Sequence, residues 1–145
     1  MEGSRKDASD SGRRPAVKLV ESADRQPVAA GSRTEMQVLL GPDDGAPNFS
    51  LRRFIMGEGG GMPLHKNRVE HEQYVLRGRA RLGIGDEVHE VAADQVLYIP
   101  AGVPHYYEVL EAPFEFLCIV PQAVDRIEFL EERGENGSET IRSSH

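Results

Sequence analysis

The sequence contains a single cysteine, Cys118, and no tryptophan among its 145 residues. One cysteine cannot form a disulfide within the chain, which fits a reducing compartment. No apolar run reaches the roughly 18 residues that a membrane-spanning helix needs, and the first 15 residues lack the apolar centre of a signal peptide. We therefore expect a soluble, cytoplasmic protein that does not bind membranes.

Positive charge is also scarce. The chain has 17 Lys and Arg against 24 Asp and Glu, for a net charge of −7 and a pI near 5.2. A nucleic-acid surface requires clustered basic side chains that displace counterions from phosphates, and no such cluster occurs outside Arg13-Arg14. The expected partner is instead a small-molecule substrate.

Glycine and proline are plentiful, with 15 and 9 copies, and they separate short apolar runs rich in β-branched and aromatic residues. This pattern predicts an all-β domain over 16–131, built as a sandwich, a jelly roll or a barrel. Residues 1–15 and 132–145 are charged and small and are predicted to be disordered tails. Only the run VDRIEFLEE, at 124–132, has helical periodicity, which predicts a short C-terminal helix.

The stretch LHKNRVEHEQYVLRG, at 64–78, carries two histidines six residues apart. Because side chains alternate along a strand, His65 and Asn67 face the same way, and His71 can rejoin them after a turn. A third histidine, His105, follows the rigid segment IPAGVP. Taken singly, such histidines are more often surface or hydrogen-bonded residues, but their joint position at strand ends predicts a metal site.

The spacing of these residues resembles the two signature motifs of the cupin superfamily. That resemblance implies a double-stranded β-helix, a jelly-roll barrel that carries its site inside. The first motif falls on Gly59, His65, Asn67, His71 and Gly78, and the second on Asp94, Pro100, Gly102 and His105.

Asp94 stands at a glycine position of the second motif, and the chain departs from the usual pattern at three further positions. Asn67 stands where a second histidine is usual, His71 replaces a glutamate, and Val109 replaces a frequent asparagine. A histidine at the glutamate position is similar to the four-histidine manganese cupins, and so are the short runs APNF, EH, FLC and VP. The similarity to that group implies a metal-dependent enzyme that forms a homodimer.

Three imidazoles from His65, His71 and His105 would leave three positions of an octahedral ion open, as in a reactive centre. Neutral imidazole suits several metals, so we expect one divalent transition metal per chain, with Mn or Fe favoured and Ni, Cu or Zn possible. Asn67 is either a weak direct ligand or a hydrogen-bond partner of a bound water or substrate. Glu70 and Glu72 alternate away from His71 and are read as bystanders.

Five side chains are predicted to line the substrate pocket, and each has a plainer interpretation. Arg52 could instead point outward, Phe116 could be ordinary core, Cys118 could be an inert buried thiol, and Tyr98 could be a strand tyrosine without a role. Gln73 shares the face of His71 by alternation. The predicted catalytic residues are Arg52, Asn67 and Cys118, with Arg52 binding an anionic group of the substrate.

The resemblance and the ligand set together predict a metal-dependent oxidoreductase of dioxygenase type, acting on a small anionic or enolisable molecule. A non-redox metal isomerase or lyase and a non-catalytic binding cupin remain as alternatives. The homodimer is also supported by Leu117 and Ile119, which should face outward, and by a predicted strand at 16–20 that could cross to a partner.

Overall fold

The computed structural model describes residues 14–123, 127–130 and 141–144. Within these ranges there is no α-helix, and hence none that could cross a membrane; two short 3₁₀ turns occur at Val20–Ser22 and Pro42–Asp44. The strands are β1 Gln26–Pro27, β2 Ser32–Leu40, β3 Phe49–Asn67, β4 His71–Ile84, β5 Glu87–Ala92, β6 Val96–Ile99, β7 His105–Pro121, β8 Ile127–Leu130 and β9 Ile141–Ser144.

All described strands belong to one antiparallel sheet, with the central order β1-β2-β3-β7-β4-β5. In addition, β6 pairs with β4, and β8 pairs with β3. Strand β7 pairs with β3 on one side and with β4 on the other, so these three long strands form the wall that carries the site. The all-β, jelly-roll prediction is confirmed.

Two predicted elements differ from the structure. The predicted C-terminal helix is not seen: residues 127–130 form β8, which pairs with the end of β3. A nine-residue helix is marginal by itself, whereas a strand at this place completes backbone hydrogen bonds along β3. The predicted strand at 16–20 is also absent, since residues 14–19 pair with no strand in the described part of the chain and Val20 begins a 3₁₀ turn.

The predicted tails lie mostly outside the described residues. Residues 1–13 and 131–140 fall there, as do positions 124–126 of the predicted helix, so the tail boundaries at 15 and 132 stay predictions. Near the end of the chain, Ile141–Ser144 form β9 and pair with β8.

The core lies on the inner faces of the three central strands. The rings of Phe54, Phe116 and Tyr107 stack nearly in parallel. The ring centroids of Phe54 and Phe116 are 5.0 Å apart, and those of Phe116 and Tyr107 are 5.3 Å apart. Phe114 and Val75 are fully buried beside them. Each such side chain contributes about 1.5–3 kcal/mol on burial, so this stack anchors the wall on which the site is built.

Two motif positions require backbone that an ordinary side chain avoids. Gly78 has φ +82°, and a Cβ there would collide with the carbonyl oxygen of Pro113. Asp94, which occupies a glycine position of the second motif, has φ +69°. Aspartate tolerates this left-handed conformation better than most residues, and its carboxylate also accepts a 2.7 Å hydrogen bond from Tyr74 Oη. The departure from the motif therefore keeps the motif's backbone.

Candidate metal centre

The barrel brings together the three histidines predicted from spacing. His65 at the end of β3 lies directly across from His105 at the start of β7. Their ring centroids are 4.2 Å apart, and those of His71 and His105 are 5.9 Å apart. All three side chains are buried, with exposures of 2%, 7% and 1% for His65, His71 and His105. His89, by contrast, is exposed on β5 and pairs with Glu87, and His145 lies outside the described residues.

Backbone carbonyls orient two of these rings. Nδ1 of His65 donates to the Pro63 carbonyl at 2.8 Å, and Nδ1 of His105 donates to that of Val103 at 3.0 Å. A carbonyl can only accept, so the proton sits on Nδ1 and the lone pair of each neutral ring sits on Nε2. Such a carbonyl contact is the usual way in which proteins orient a metal-binding histidine.

The electrostatics of the site keep two of the histidines neutral. Burial, followed by the charge of Arg52, lowers the pKa of His71 to about 3. Burial and the neighbouring His65 lower the pKa of His105 to about 4. A metal binds the neutral form of imidazole. At neutral pH these two rings are already neutral, so they can bind a metal without losing a proton first.

The donor set fits a transition metal by its chemistry. Nε2 of His71 and Nε2 of His105 are buried and have no hydrogen-bond partner in the described part of the chain. Two imidazoles on one ion place their centroids roughly 4.5 Å apart at a right angle and farther apart at wider angles, which resembles the spacing seen here. No three His, Cys, Asp or Glu side chains of the described residues form a ready-made ion site as they stand.

Asn67 and the two nearby glutamates occupy different sides of the strands. Asn67 is 6% exposed at the end of β3. Its backbone carbonyl accepts a 2.8 Å hydrogen bond from the backbone N–H of Gly102, which connects the second motif to the first. Glu70 is exposed, and a hydrogen bond with it raises the pKa of Glu72. The two carboxyl groups therefore interact with each other, as their outward register predicts.

The adjacent arginines of β3 separate to opposite faces of the sheet. Arg52 lies across from Cys118 in the interior, where its guanidinium sits 5.1 Å from the centroid of Phe54. It makes no ion pair with a carboxylate of the described residues, and its Nε is buried without a partner there. Arg53 instead pairs with Glu115 at 2.6 Å on the outer side. The inward orientation predicted for Arg52 is the one observed.

Cys118 and Gln73 complete the inner wall beside Arg52. Cys118 Sγ lies 3.5 Å from Arg52 Nη2 and 3.6 Å from Gln73 Nε2. Burial raises the pKa of the Cys118 thiol despite the nearby arginine, so the thiol stays protonated at neutral pH. The geometry thus suits a hydrogen-bonding wall better than a nucleophile.

Tyr107 is a residue of the inner wall that the sequence analysis did not assign to the site. It follows His105 by two positions and shares its inward face, its ring is edge-on to His105 at 5.9 Å, and its hydroxyl accepts a 2.7 Å hydrogen bond from Gln73. Burial raises its pKa well above the usual value. The same alternation from His105 that predicts ligand direction could have found it.

The pocket role predicted for Tyr98 is wrong. Tyr98 pairs with the outward-facing Glu72, while its neighbour Ile99 pairs with His71, so alternation directs Tyr98 away from the barrel. It is 59% exposed. Phe116 does lie on the inner face, but it is 1% exposed inside the ring stack, where it serves as core below the site.

Comparison with known proteins gives the family. Residues 52–120 match the family model for the cupin domain. A cupin 2 domain-containing protein from Halorhodospira halophila is 30% identical over 68% of this chain and 71% of its own, with a TM-score of 0.64. The chain belongs to the cupin family. No curated protein matches it.

Two further cupin-like structures match over most of both chains. The polyketide cyclase RemF from Streptomyces resistomycificus is 28% identical, with a TM-score of 0.73, over 82% of this cupin and 89% of its own chain. The cupin-2 domain protein Rru_A2000 from Rhodospirillum rubrum is 25% identical, with a TM-score of 0.69, over 82% of this cupin and 84% of its own chain. This chain is therefore a small, single-domain cupin.

Proposed function

We propose that this cupin is a metal-dependent enzyme that acts on a small anionic or enolisable molecule. One observation carries the proposal: His71 and His105 present buried, unpaired Nε2 atoms, and the charge of Arg52 acts on His71. The Nε of Arg52 is buried too, and Arg52 has no carboxylate partner in the described part of the chain. With His65, these two histidines are the residues that would hold one divalent ion per chain, for which Mn or Fe remains favoured and Ni, Cu or Zn possible.

The protein's own side chains supply binding and orientation. Arg52 binds an anionic oxygen of the substrate, and its Phe54 neighbour holds the guanidinium plane in position. Gln73 and Cys118 form the wall next to it, and Asn67 hydrogen-bonds a ligand near the ion. The bound ion would polarise a carbonyl or enol oxygen of the substrate, and a redox-active ion would also permit oxygen chemistry.

The reaction class has two candidates. The 28% identical relative is a polyketide cyclase. That relative favours non-redox chemistry on an enolisable carbonyl compound, and we place this class first. The dioxygenase class predicted from the four-histidine resemblance is second, because imidazole donors also suit redox-active ions such as Fe and Cu.

Metal content and oxygen uptake test the proposal. The untagged protein should bind about one ion per chain after incubation with Mn, Fe, Ni or Zn, and His71→Ala and His105→Ala should reduce that content at least tenfold because each removes a donor. His89→Ala is the matched control, since His89 is exposed and pairs with Glu87. Wild-type protein that binds none of these metals would overturn the site.

With β-dicarbonyl compounds as substrates, conversion without oxygen uptake by the Zn-loaded protein supports the non-redox class. Conversion that requires O₂ and a redox-active ion supports the dioxygenase class. A stoichiometric metal without turnover of any such compound would favour the non-catalytic binding cupin instead.

We also propose that two copies associate through the outer face of β4, β6 and β7. The cytoplasmic location stays a prediction. Ile119, Tyr74 and Val96 are 44%, 43% and 71% exposed on neighbouring strands. Such a patch is typical of an interface. In light scattering after gel filtration, the wild type should be a dimer and Ile119→Lys a monomer, while the control Val88→Lys on β5 stays dimeric. A monomeric wild type would contradict this.

A further inference from the structure

The side chains of Arg52 and Gln73 lie side by side on the inner wall. Arg52 Nη2 and Gln73 Nε2 approach the same atom, Cys118 Sγ, at 3.5 and 3.6 Å. Gln73 follows His71 by two positions on β4 and shares its face. One small ligand held at the histidines can therefore reach both side chains.

The amide of Gln73 is oriented by its neighbour. Its Nε2 donates a 2.7 Å hydrogen bond to Tyr107 Oη. Tyr107 is held in turn by stacking on Phe116, with an angle of 7° between the rings. The amide oxygen Oε1 therefore points away from Tyr107, and it is buried without a donor among the described residues. This oxygen can only accept a hydrogen bond.

Arg52 presents the opposite requirement. Its Nε is a buried donor without an acceptor in the described residues. A buried polar atom without a partner costs about 1–3 kcal/mol, and more when the group is charged. A bound ligand that offers an acceptor to Arg52 and a donor to Gln73 would satisfy both atoms at once.

We propose that the pocket selects a hydroxy acid, or an enol acid, over the corresponding keto acid. The anionic oxygen of the ligand binds Arg52, and its O–H donates to Gln73 Oε1. A keto acid places its carbonyl oxygen against that acceptor, so two lone pairs meet and the Gln73 oxygen stays unsatisfied. The inference rests on the proposed function, because the ligand is held at the same metal centre.

Calorimetric titration of the full-length chain loaded with zinc tests the inference. Zinc is redox-inert, so the probes L-lactate, pyruvate and propionate bind without being oxidised or reduced. Lactate should bind at least about tenfold more tightly than pyruvate, a typical effect of one unpaired buried polar atom. Propionate, which lacks the oxygen on the carbon next to the carboxylate, should bind more weakly than lactate.

Because zinc itself can prefer one chelating acid, the ratio of the pyruvate and lactate Kd values is compared between variants. Gln73→Met should reduce that ratio about tenfold at unchanged zinc content, and Arg52→Met should weaken all three acids together. Gln95→Met, at an exposed turn, is the control and should leave the ratio as in the wild type.

Three results would overturn the inference. An unchanged ratio in Gln73→Met, or a pyruvate preference that depends on Gln73, would refute the role of the amide oxygen while the metal site stands. Loss of zinc from Gln73→Met would show that Gln73 binds the ion instead of the acid. A wild type that binds no zinc or other divalent metal would remove the proposed function together with the inference.

Discussion

Replacing the two neighbouring arginines of β3 one at a time should separate binding from stability. Arg53 and Glu115 are 13% and 8% exposed in their side chains, and Arg53 Nη1 also donates to Gln37 Oε1 at 2.9 Å. Arg53→Met leaves the Glu115 carboxylate buried without this partner, which costs about 3–5 kcal/mol in comparable buried pairs. Arg77, at 3.8 Å from Glu115, is 63% exposed and recovers little of that loss.

Arg52→Met should behave differently. It removes a guanidinium that stacks on Phe54 and approaches Cys118, contacts worth about 1 kcal/mol, but it also removes a buried, unpaired Nε of similar cost. The net change in the free energy of unfolding should stay within about 1 kcal/mol.

Urea denaturation of both variants measures these free energies, and the slope with denaturant checks that the unfolding remains two-state. Acid binding should follow the opposite order: it should be weakened in Arg52→Met and retained by the folded fraction of Arg53→Met. Equal destabilisation by the two substitutions would refute the assignment of Arg52 to ligand binding, because it would mean that Arg52 serves the fold as Arg53 does.

Three other changes test the pH dependence, the motif backbone and the thiol. The folded-state pKa values of His71 and His105, about 3 and 4, lie below the unfolded value near 6.5, so the unfolded chain takes up more protons as pH falls. Stability of the metal-free protein should therefore decline below pH 6.5 by up to about 1.4 kcal/mol per pH unit for each histidine. Urea denaturation at several pH values should show a flatter decline in His71→Gln and His105→Gln, and an equal slope would contradict the explanation. Asp94→Gly should change stability by less than about 1 kcal/mol in thermal unfolding, since relief of the positive φ offsets the lost bond to Tyr74, whereas Asp94→Val should destabilise by about 1–3 kcal/mol. Cys118, fully buried with a raised pKa, should resist a thiol reagent in the folded protein and react completely in urea; rapid labelling of folded protein would place the sulfur at an open surface.

Alternation along each strand predicted which side chains at the site share a face, but it left the direction of Arg52 open and did not exclude Tyr98 from the pocket. The motif spacing of His65, His71 and His105 placed each of them at a strand end, because spacing and alternation are properties of the chain itself. The pairing of β3 with β7 then brings His65 next to His105. The all-β class likewise follows from short apolar runs between turn residues.

Other features depended on which strands become neighbours. Alternation shows that Arg52 and Arg53 point to opposite faces. Only the pairing of β3 with β7 decides that Arg52 is the one that lies next to Cys118 in the interior. The tyrosines illustrate the same limit, because Tyr98 falls opposite outward Glu72 and Tyr107 falls beside His105.

The segment at 127–130 shows how tertiary pairing overrides a local pattern. Its helical periodicity is real, yet the free edge of β3 offers backbone hydrogen bonds that a short helix cannot match. The sequence by itself thus determined the strands, the faces within each strand and the residue types of the site. The tertiary structure alone decided which face is inside, because burial depends on neighbours that lie far away in the chain.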